Sequence, residues 1–573
     1  MDFQRILIFM GLAVTGYLLI LAWQDDYGQR ATVEDDPITM ESNPAFGGTP
    51  VAAPIAPSST AGVPDSDFIP RTNASSDQLS QGTADTQVSE TVVVKTDVLK
   101  VEIALLGGDI VAVDLPKYPA DLDDPDRALK LIDFKNHYSA QSGLIGPSGT
   151  DKDGARPYFE SAQRRYELKD GRDELQVRLT LEKASSAGLL VQKVLTFKRG
   201  DYLVAIEYEL SNQSNDSAQV AFYGQIKRDG NSPLFQVDNA MGLQPFLGGA
   251  SRNEEERYSK IDLSDLEEDP YQMDFVGGYM AFVQHYFLSA WAPAQNENVR
   301  YYARQLKKGQ SVENSTYVLG YTSALQDIPP GRQSTLGGTF YVGPKDQARL
   351  AEISEGLDLT VDYGFLWFIA QPLFTALTWI HSMVNNWGFA IILLTIGVKT
   401  LLYPLSAASF KSMAKMRKLQ PEMARLKERY GEDRQKFSQA MMDLYKKEGA
   451  NPLGGCLPIL LQMPVFLALY WTLMESVELR HAPFILWIDD LSVMDPWFVL
   501  PILMGISMYL TQMMQPEPPD PIQAKVFKFM PIMFTFLFLW FPSGLVLYWL
   551  INNILSVLQQ LYVTRQLEKS PRS

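Results

Sequence analysis

The stretch WGFAIILLTIGVKTLLYPLS, residues 387–406, decides the fold class of this chain because it is long and apolar enough to cross a lipid bilayer. It holds one charged residue, Lys399, well inside the run. An ammonium in the middle of a bilayer helix costs about 2.5–3.5 kcal/mol on translocon-type scales. The sequence therefore predicts a membrane helix at 387–406, whose surroundings must offset the cost of burying Lys399.

Further runs without charge follow this stretch, most of them close to the roughly 20 residues that a spanning helix needs. We therefore predict an α-helical bundle of five core transmembrane helices at residues 387–566, followed by a cytoplasmic tail at 567–573. The predicted spans are about 387–406, 456–476, 497–514, 526–541 and 543–564.

The apolar run at the N-terminus has two interpretations, a cleaved signal or a retained anchor. It is longer than a usual signal core, and LAWQDD at its end lacks small residues spaced for cleavage. We predict a transmembrane anchor at 1–23 with its N-terminus in the cytoplasm. Residues 24–88 are rich in Pro, Ser, Thr, Asp and Ala, a composition that buries too little apolar surface to fold, so they predict a disordered linker outside the bilayer.

Residues 89–345 show the two-residue alternation of half-buried strands. Turn signals such as Gly107-Gly108-Asp109 separate the apolar runs. We predict a large antiparallel β-sandwich domain outside the bilayer. The clearest alternation places on one face Tyr202, Val204, Ile206, Tyr208 and Leu210.

The connecting segment 346–386 contains an aromatic-rich stretch at 363–386 that could cross the bilayer or lie along it. If it crossed, the loop 406–455, with 11 Lys and Arg against 6 Asp and Glu, would face outward. Basic loops tend to remain cytoplasmic. We therefore predict an amphipathic helix in the outer interface, six spans in total, and both chain termini in the cytoplasm.

The cytoplasmic loop has apolar positions at steps of three and four residues, in two sets separated by Gly431-Glu432-Asp433. This pattern predicts an antiparallel helical hairpin at 409–448. Its methionines either form an adaptable surface for varied apolar segments or hold the two helices together. The methionines of interest are Met416, Met423 and Met441.

Uncharged polar residues accompany the buried lysine in three of the predicted spans. They are Thr395 and Tyr403 on the face of Lys399 in the first core span, Gln462 in the next, and Asn552, Ser556 and Gln559 in the last. No Asp or Glu lies in the interior of a predicted span, since Glu475 and Glu478 fall at the outer end of theirs, and this disfavours an ion pair. The ammonium either snorkels toward the cytoplasmic headgroups or faces a hydrated cavity, and the three polar stripes favour the cavity.

Two stretches, NPLGGCLPILLQMPVFLALYW at 451–471 and FLWFPSGLVLYWLINN at 538–553, resemble the YidC family of membrane protein insertases. The resemblance covers residues 363–566, and the acidic β domain and anchor resemble the Gram-negative form. It implies an insertase and chaperone of the inner membrane, acting alone or with the Sec translocon. The family's groove is hydrophilic and opens to the cytoplasm and the lipid, and its cation, often arginine, corresponds here to Lys399.

The resemblance adds Tyr548 and Trp549 to the groove, the latter where relatives often have a second tyrosine. An apolar slide for the substrate is expected on two spans; the alternative is that its members face lipid or pack together. The slide residues are Met463, Phe466, Phe534 and Phe538. The expected partners are nascent integral membrane proteins, the phospholipid bilayer, the Sec translocon with its accessory subunits and, more weakly, the ribosome.

Other function classes are less well supported. A secondary transporter or channel remains an alternative, but the chain lacks the internal repeat and membrane carboxylates typical of ion-coupled carriers. The family's β domain resembles sugar-epimerising folds, for which His137 and His285 are the candidate acid–base residues. With no phosphate loop, one cysteine and four scattered histidines, the sequence predicts no enzyme, cofactor, metal or specific nucleic-acid site.

Overall fold

The structure is a computed structural model that describes residues 90–151, 156–181, 185, 188–231, 245–430, 433–448, 457–515 and 521–569. The predicted anchor at 1–23 and linker at 24–88 lie outside the described residues. The described chain forms a β domain and then a series of helices.

Twenty described strands build the β domain. They are β1 Thr91–Lys95, β2 Lys100–Ala104, β3 Ile110–Pro119, β4 Ala128–Asp133, β5 Ser139–Ile145, β6 Phe159–Ser161, β7 Arg165–Glu167, β8 Glu174–Leu181, β9 Leu189–Lys198, β10 Leu203–Asn212, β11 Ala218–Asp229, β12 Gly248–Ser251, β13 Ser259–Ile261, β14 Tyr271–Val276, β15 Met280–Val283, β16 Phe287–Ala292, β17 Asn298–Lys307, β18 Thr316–Ser323, β19 Gln326–Ile328 and β20 Gln333–Pro344.

These strands form two sheets, one of 11 strands in the order β14-β17-β18-β11-β5-β3-β2-β1-β7, with β19 beside β11 and β4 beside β3. The other has nine strands in the order β13-β12-β15-β16-β20-β10-β9-β8-β6. Among the described strands, β1 and β7 pair in parallel and the other pairs are antiparallel. The predicted β-sandwich is confirmed.

The core of the sandwich lies between the two sheets, where apolar side chains from both inner faces meet. On β10, Val204, Ile206 and Tyr208 are buried, in agreement with the predicted alternation. Gly224 on β11 faces Trp291 on β16 so closely that a Cβ atom would lie 2.7 Å from the indole ring. A glycine at this position therefore lets the two sheets approach each other.

Nine described helices follow the last strand. They are α1 Gln347–Ile353, α2 Trp367–Val384, α3 Trp387–Leu401, α4 Tyr403–Tyr430, α5 Arg434–Glu448, α6 Leu457–Glu475, α7 Val499–Met513, α8 Pro521–Leu537 and α9 Ser543–Lys569, with short 3₁₀ turns at Phe134–Asn136, Asp265–Glu267, Leu357–Thr360, Gly364–Leu366, Val477–Leu479 and Phe538–Trp540.

The first core span is shorter than the predicted 387–406, because α3 ends at Leu401 and α4 begins at Tyr403 with a bend of 68° between them. Pro404 favours a break here, because it lacks an N–H and its ring would clash with the carbonyl of Thr400 in a continuous helix. The first helix of the predicted hairpin consequently begins at Tyr403 rather than at residue 409.

Other helix ends also differ from the predicted spans. The last two helices run past the predicted limits, α8 starting at Pro521 rather than 526 and α9 continuing to Lys569 rather than 564. A charged residue marks where a helix leaves the hydrocarbon, but it does not interrupt backbone hydrogen bonding. The end of span 526–541 is a 3₁₀ turn at Phe538–Trp540, and Phe541, which precedes Pro542, is extended.

By length and apolarity, Ser543–Gln566 within α9 is the one described helix that can cross a membrane as a single straight segment. Helices α3 and α4 satisfy the same criterion as a bent pair, and α7 is apolar but shorter. The number of spans therefore stays a prediction.

The β domain meets the helices at a buried junction. The Nζ atom of Lys345, directly after β20, lies 2.8 Å from Oε2 of Glu475, the last residue of α6, and the two side chains are 2% and 4% exposed. Nearby, Nε2 of His285 lies 2.7 Å from the carbonyl oxygen of Met474. Because a carbonyl only accepts hydrogen bonds, Nε2 carries the proton in this contact. Polar groups thus connect the sandwich to α6.

Candidate functional site

A cavity of about 320 Å³ lies between α4, α6, α7, α8 and α9. Five predicted groove residues and all four predicted slide residues belong to its wall. The wall consists of Phe410, Met413, Gln462, Met463, Phe466, Met508, Thr511, Gln512, Gln515, Phe527, Met530, Phe534, Leu537, Phe538, Phe541, Tyr548, Trp549, Asn552, Asn553, Ser556 and Gln560.

Lys399 lies behind this wall. Its side chain is 3% exposed, and its Nζ atom donates a hydrogen bond of 2.7 Å to Oγ of Ser556 on α9. The ammonium therefore points into the bundle rather than along the helix toward the headgroups, as snorkelling would require. Since Lys399 is in the last turn of α3, it also lies near the negative end of the helix dipole.

The two other polar residues predicted on the face of Lys399 do not line the described cavity. Thr395 is buried, and its hydroxyl donates to the carbonyl of Ile391 at 2.6 Å, within its own helix. Tyr403 begins α4 beyond the bend and is half-buried. The bend separates Tyr403 from the helix face that it would share with Lys399 in a straight span.

The polar wall of α9 includes two residues that the sequence analysis missed. Asn553 donates to Oγ of Ser507 at 3.1 Å, and Gln560 donates to the carbonyl of Met514 at 2.9 Å. Gln560 belongs to the cavity wall and the predicted Gln559 does not. The polar spacing Ser507, Thr511 and Gln515 on and after α7 was the signal that could have located this side of the cavity.

A second polar contact joins α9 to α6 across the cavity wall. The side-chain amide of Asn552 donates to Oε1 of Gln462 at 3.0 Å. The hydroxyl of Ser556 donates to the backbone carbonyl of Asn552 at 2.7 Å. The hydrogen bonds from Lys399 through Ser556 and Asn552 to Gln462 therefore connect three helices.

Three of the predicted slide residues, Phe466, Phe534 and Phe538, belong to an aromatic cluster in another part of the cavity wall. Phe466 meets Trp549 edge-on at 4.5 Å between ring centroids, and Phe538 stacks on Phe534 at 6.1 Å. Phe538 is 2% exposed and so does not face lipid, whereas Met463 is 38% exposed. Nε1 of Trp549 is buried without a hydrogen-bond partner in the described chain, which leaves a donor at the wall.

The hairpin methionines lie mainly inside. Met416 and Met423 are buried, and Met423 accepts a contact of 3.0 Å from the hydroxyl of Tyr445 on α5. Met441 is half-buried, and Met442 is exposed. For Met416 and Met423 the structure favours the interpretation that methionines hold the two helices together.

The two histidines considered for the β domain lie apart. His137 lines a cavity of about 190 Å³ together with Glu90 and Asp109, but Asp109 is already paired with Arg156. His285 is at the junction with α6, where burial lowers its pKa to about 4. A neutral, buried imidazole that contacts Met474 is a packing element of the junction rather than an exposed acid or base.

A sandwich domain joined to apolar helices, which enclose a cavity with a polar and an aromatic side, defines an integral membrane protein with a large domain outside the bilayer. Comparison with known proteins specifies the family. Residues 91–376 match the model described as YidC periplasmic domain, and residues 379–570 match the 60Kd inner membrane protein family.

Full-length relatives agree with these matches. The membrane protein insertase YidC of Cellvibrio japonicus is 48% identical, and that of Pseudomonas entomophila is 45% identical, each over 100% of this chain and 99% of its own length. The chain belongs to the YidC family of membrane protein insertases, and is thus an inner-membrane protein with a periplasmic domain.

Solved structures give weaker likenesses. An active YidC insertase crystal structure is 20% identical, with a TM-score of 0.37 over 82% of this chain and 92% of its own. A galactose mutarotase-like protein from Lactobacillus casei is 8% identical, with a TM-score of 0.31 over 44% of this chain and 99% of its own. At these TM-scores neither likeness assigns a function to the β domain.

Proposed function

We propose that this protein inserts integral membrane proteins into the inner membrane through the cavity between α4, α6, α7, α8 and α9. One observation carries the proposal: the cavity has a polar wall backed by the buried ammonium of Lys399 and an aromatic wall around Phe466 and Phe538. A chain segment in transit through a membrane has both polar and apolar groups, and each finds a matching surface here.

The polar wall lowers the cost of bringing peptide groups into the bilayer. An amide without a hydrogen-bond partner in hydrocarbon costs several kcal/mol. Asn552, Gln462 and the unpaired Nε1 of Trp549 offer donors and acceptors at that depth. The positive charge of Lys399 additionally favours acidic segments.

The apolar wall then receives the transmembrane segment of the substrate. Met463, 38% exposed, lies where the aromatic cluster meets the outer surface of the bundle, so it marks the proposed exit toward lipid. Burial of the substrate helix in lipid and the membrane potential, about 2.3 kcal/mol per charge per 100 mV, supply the driving force. The proposal needs no nucleotide.

The domain limits predicted from the sequence remain part of the proposal. The anchor at 1–23, six spans and cytoplasmic termini would place the hairpin inside the cell and the β domain outside. The hairpin would meet nascent chains first, and the β domain would contact the Sec translocon and its accessory subunits. A ribosome contact would involve the basic residues of the hairpin and the tail.

The charge of Lys399 gives the direct test. In proteoliposomes, we compare Lys399→Arg, Lys399→Ala and Lys399→Glu on two reporters with one span each, whose translocated tails differ by Asp→Asn substitutions. Lys399→Arg should support insertion of the acidic reporter, and Lys399→Glu should block it. For Lys399→Ala we expect a loss of about tenfold, the equivalent of about 1.4 kcal/mol.

The neutral reporter is the matched control, since its insertion should change far less. Equal insertion of the acidic reporter by wild type, Lys399→Ala and Lys399→Glu would contradict the proposed role of the charge. Protection of a cysteine placed at Asn552 from cytoplasmic thiol reagents, with labelling from the periplasm, would contradict a cavity that opens to the cytoplasm.

A further inference from the structure

We propose that Ser556 is a positioning residue for Lys399: its hydroxyl fixes the lysine ammonium at the cavity wall, where a carboxylate of the substrate can approach it. This inference rests on the proposed function, because it adds Ser556, a residue on another helix, to the groove charge Lys399. The carrying observation is the 2.7 Å hydrogen bond from Nζ of Lys399 to Oγ of Ser556.

The direction of that hydrogen bond is set by the neighbours of Ser556. A serine hydroxyl has one proton and two acceptor lone pairs. The proton of Ser556 is used on the carbonyl of Asn552, four residues earlier on α9, at 2.7 Å. The lone pairs of Oγ are therefore the part of the hydroxyl that faces the ammonium, and the orientation is fixed by the helix itself.

Ser556 also determines where the charge lies relative to the cavity. Ser556 lines the cavity, whereas Lys399 lies behind it and is almost fully buried. An ammonium has three N–H donors, and the described residues give it one hydrogen bond. Because the hydroxyl of Ser556 is neutral, the contacts of Lys399 with the described residues leave its positive charge uncompensated, so a carboxylate in the cavity can pair with it after a small movement.

The hydrogen bond to Ser556 matters more for the position of a lysine than it would for that of an arginine. A guanidinium holds its own geometry through a rigid fork of donors, while an ammonium is a point charge on a flexible stem. The second contact on α9, from Asn552 to Gln462 on α6, fixes the helix that carries Ser556. The position of the charge is thus set by α9 and α6 as well as by α3.

Insertion by the full chain in proteoliposomes tests the inference, using the acidic-tail reporter and its Asn-substituted neutral counterpart. Ser556→Ala should lower the initial insertion rate of the acidic reporter about tenfold, as expected when a hydrogen bond to a charged group is lost. The neutral reporter should stay within about twofold, and Ser556→Thr, which keeps the hydroxyl, should restore acidic insertion. In the Lys399→Ala background, Ser556→Ala should add no further loss.

Ser507→Ala is the matched control, because Ser507 is another buried serine of the bundle whose hydroxyl bonds to groups other than Lys399: it donates to the carbonyl of Met504 at 2.6 Å and accepts from the amide of Asn553 in the cavity wall at 3.1 Å. It should not discriminate between the reporters. The inference is overturned if Ser556→Ala inserts the acidic reporter normally, slows both reporters equally, or acts no differently from Ser507→Ala. If Lys399→Ala itself leaves acidic insertion unchanged, the proposed function fails; if only Ser556→Ala does so, the positioning role alone fails.

Discussion

Two lysines of this protein are buried to nearly the same degree but have opposite partners. Lys345, at the junction of the β domain with α6, lies 2.8 Å from the carboxylate of Glu475. Lys399, inside the helix bundle, donates to the neutral hydroxyl of Ser556. The first charge is balanced by Glu475, and the second has no carboxylate partner among the described residues.

The difference separates a structural charge from an available one. A buried ion pair holds two parts of a protein in a defined arrangement, and neither partner can leave without exposing the other to an apolar surrounding. A buried ammonium with a neutral partner keeps its capacity to attract an anion from outside the chain. The two lysines therefore predict different responses to the same substitution.

The largest effect is expected when each lysine is replaced by methionine. Lys345→Met leaves the carboxylate of Glu475 buried without its counter-charge, which should destabilise the chain by about 3–5 kcal/mol. Lys399→Met leaves no unpaired carboxylate among the described residues, so its effect on stability should be within about 1 kcal/mol, typical of a volume-conserving change to an apolar residue. Thermal unfolding of both variants in nanodiscs measures this difference.

Lys399→Met should lose insertion of the acidic reporter although it keeps its stability. Equal stability losses for the two variants would show that the ammonium of Lys399 has a carboxylate partner after all. The comparison between a structural and an available charge would then be wrong.

A smaller effect concerns the pH dependence of the junction. Burial lowers the pKa of His285 to about 4, with Lys345 and Arg480 acting in the same direction and Glu475 opposing them. Because the unfolded imidazole titrates near its ordinary value of about 6.5, the unfolded chain binds an additional proton between these two pH values. Stability is therefore complete above about pH 6.5 and declines as the pH falls toward 4, by about 1–3 kcal/mol.

His285→Gln isolates this contribution, since a glutamine amide can donate to the carbonyl of Met474 without titrating. The unfolding midpoint of the variant in nanodiscs should decline less than that of wild type between pH 7 and pH 4.5. Parallel curves for the two proteins would show that His285 does not control the acid sensitivity of the junction.

The elements of this fold were predictable to the extent that local pattern determines them. The alternation of apolar residues predicted strand β10, and the charge-free runs predicted helices α6 and α7 to within a few residues of their observed ends. The break after α3 was missed although Pro404 was visible, because proline alone does not decide: Pro464 and Pro531 lie inside continuous helices. Whether the chain bends at a proline depends on what packs around it.

The candidate site was predictable in its composition but not in its pairing. The polar stripes predicted that Lys399, Asn552 and Ser556 face one hydrated cavity. Their spacing did not indicate which atom would contact the ammonium. The contact between Lys345 and Glu475 was also missed, because the two residues belong to different domains. Periodicity describes the faces of one element, and pairing across elements requires the tertiary structure.

The smallest effect is expected when both members of the junction pair are replaced together. Lys345→Met with Glu475→Met removes both charges, and replacement of a buried ion pair by apolar residues of similar volume is often neutral or slightly stabilising. We expect unfolding in nanodiscs within about 1 kcal/mol of wild type, so that the double variant recovers most of the stability that Lys345→Met loses. If the double variant is as unstable as Lys345→Met, then the loss comes from packing around the lysine stem rather than from the unpaired carboxylate. In that case the stability difference between Lys345→Met and Lys399→Met reports packing rather than charge. The role of the charge of Lys399 is then tested by the insertion assay alone.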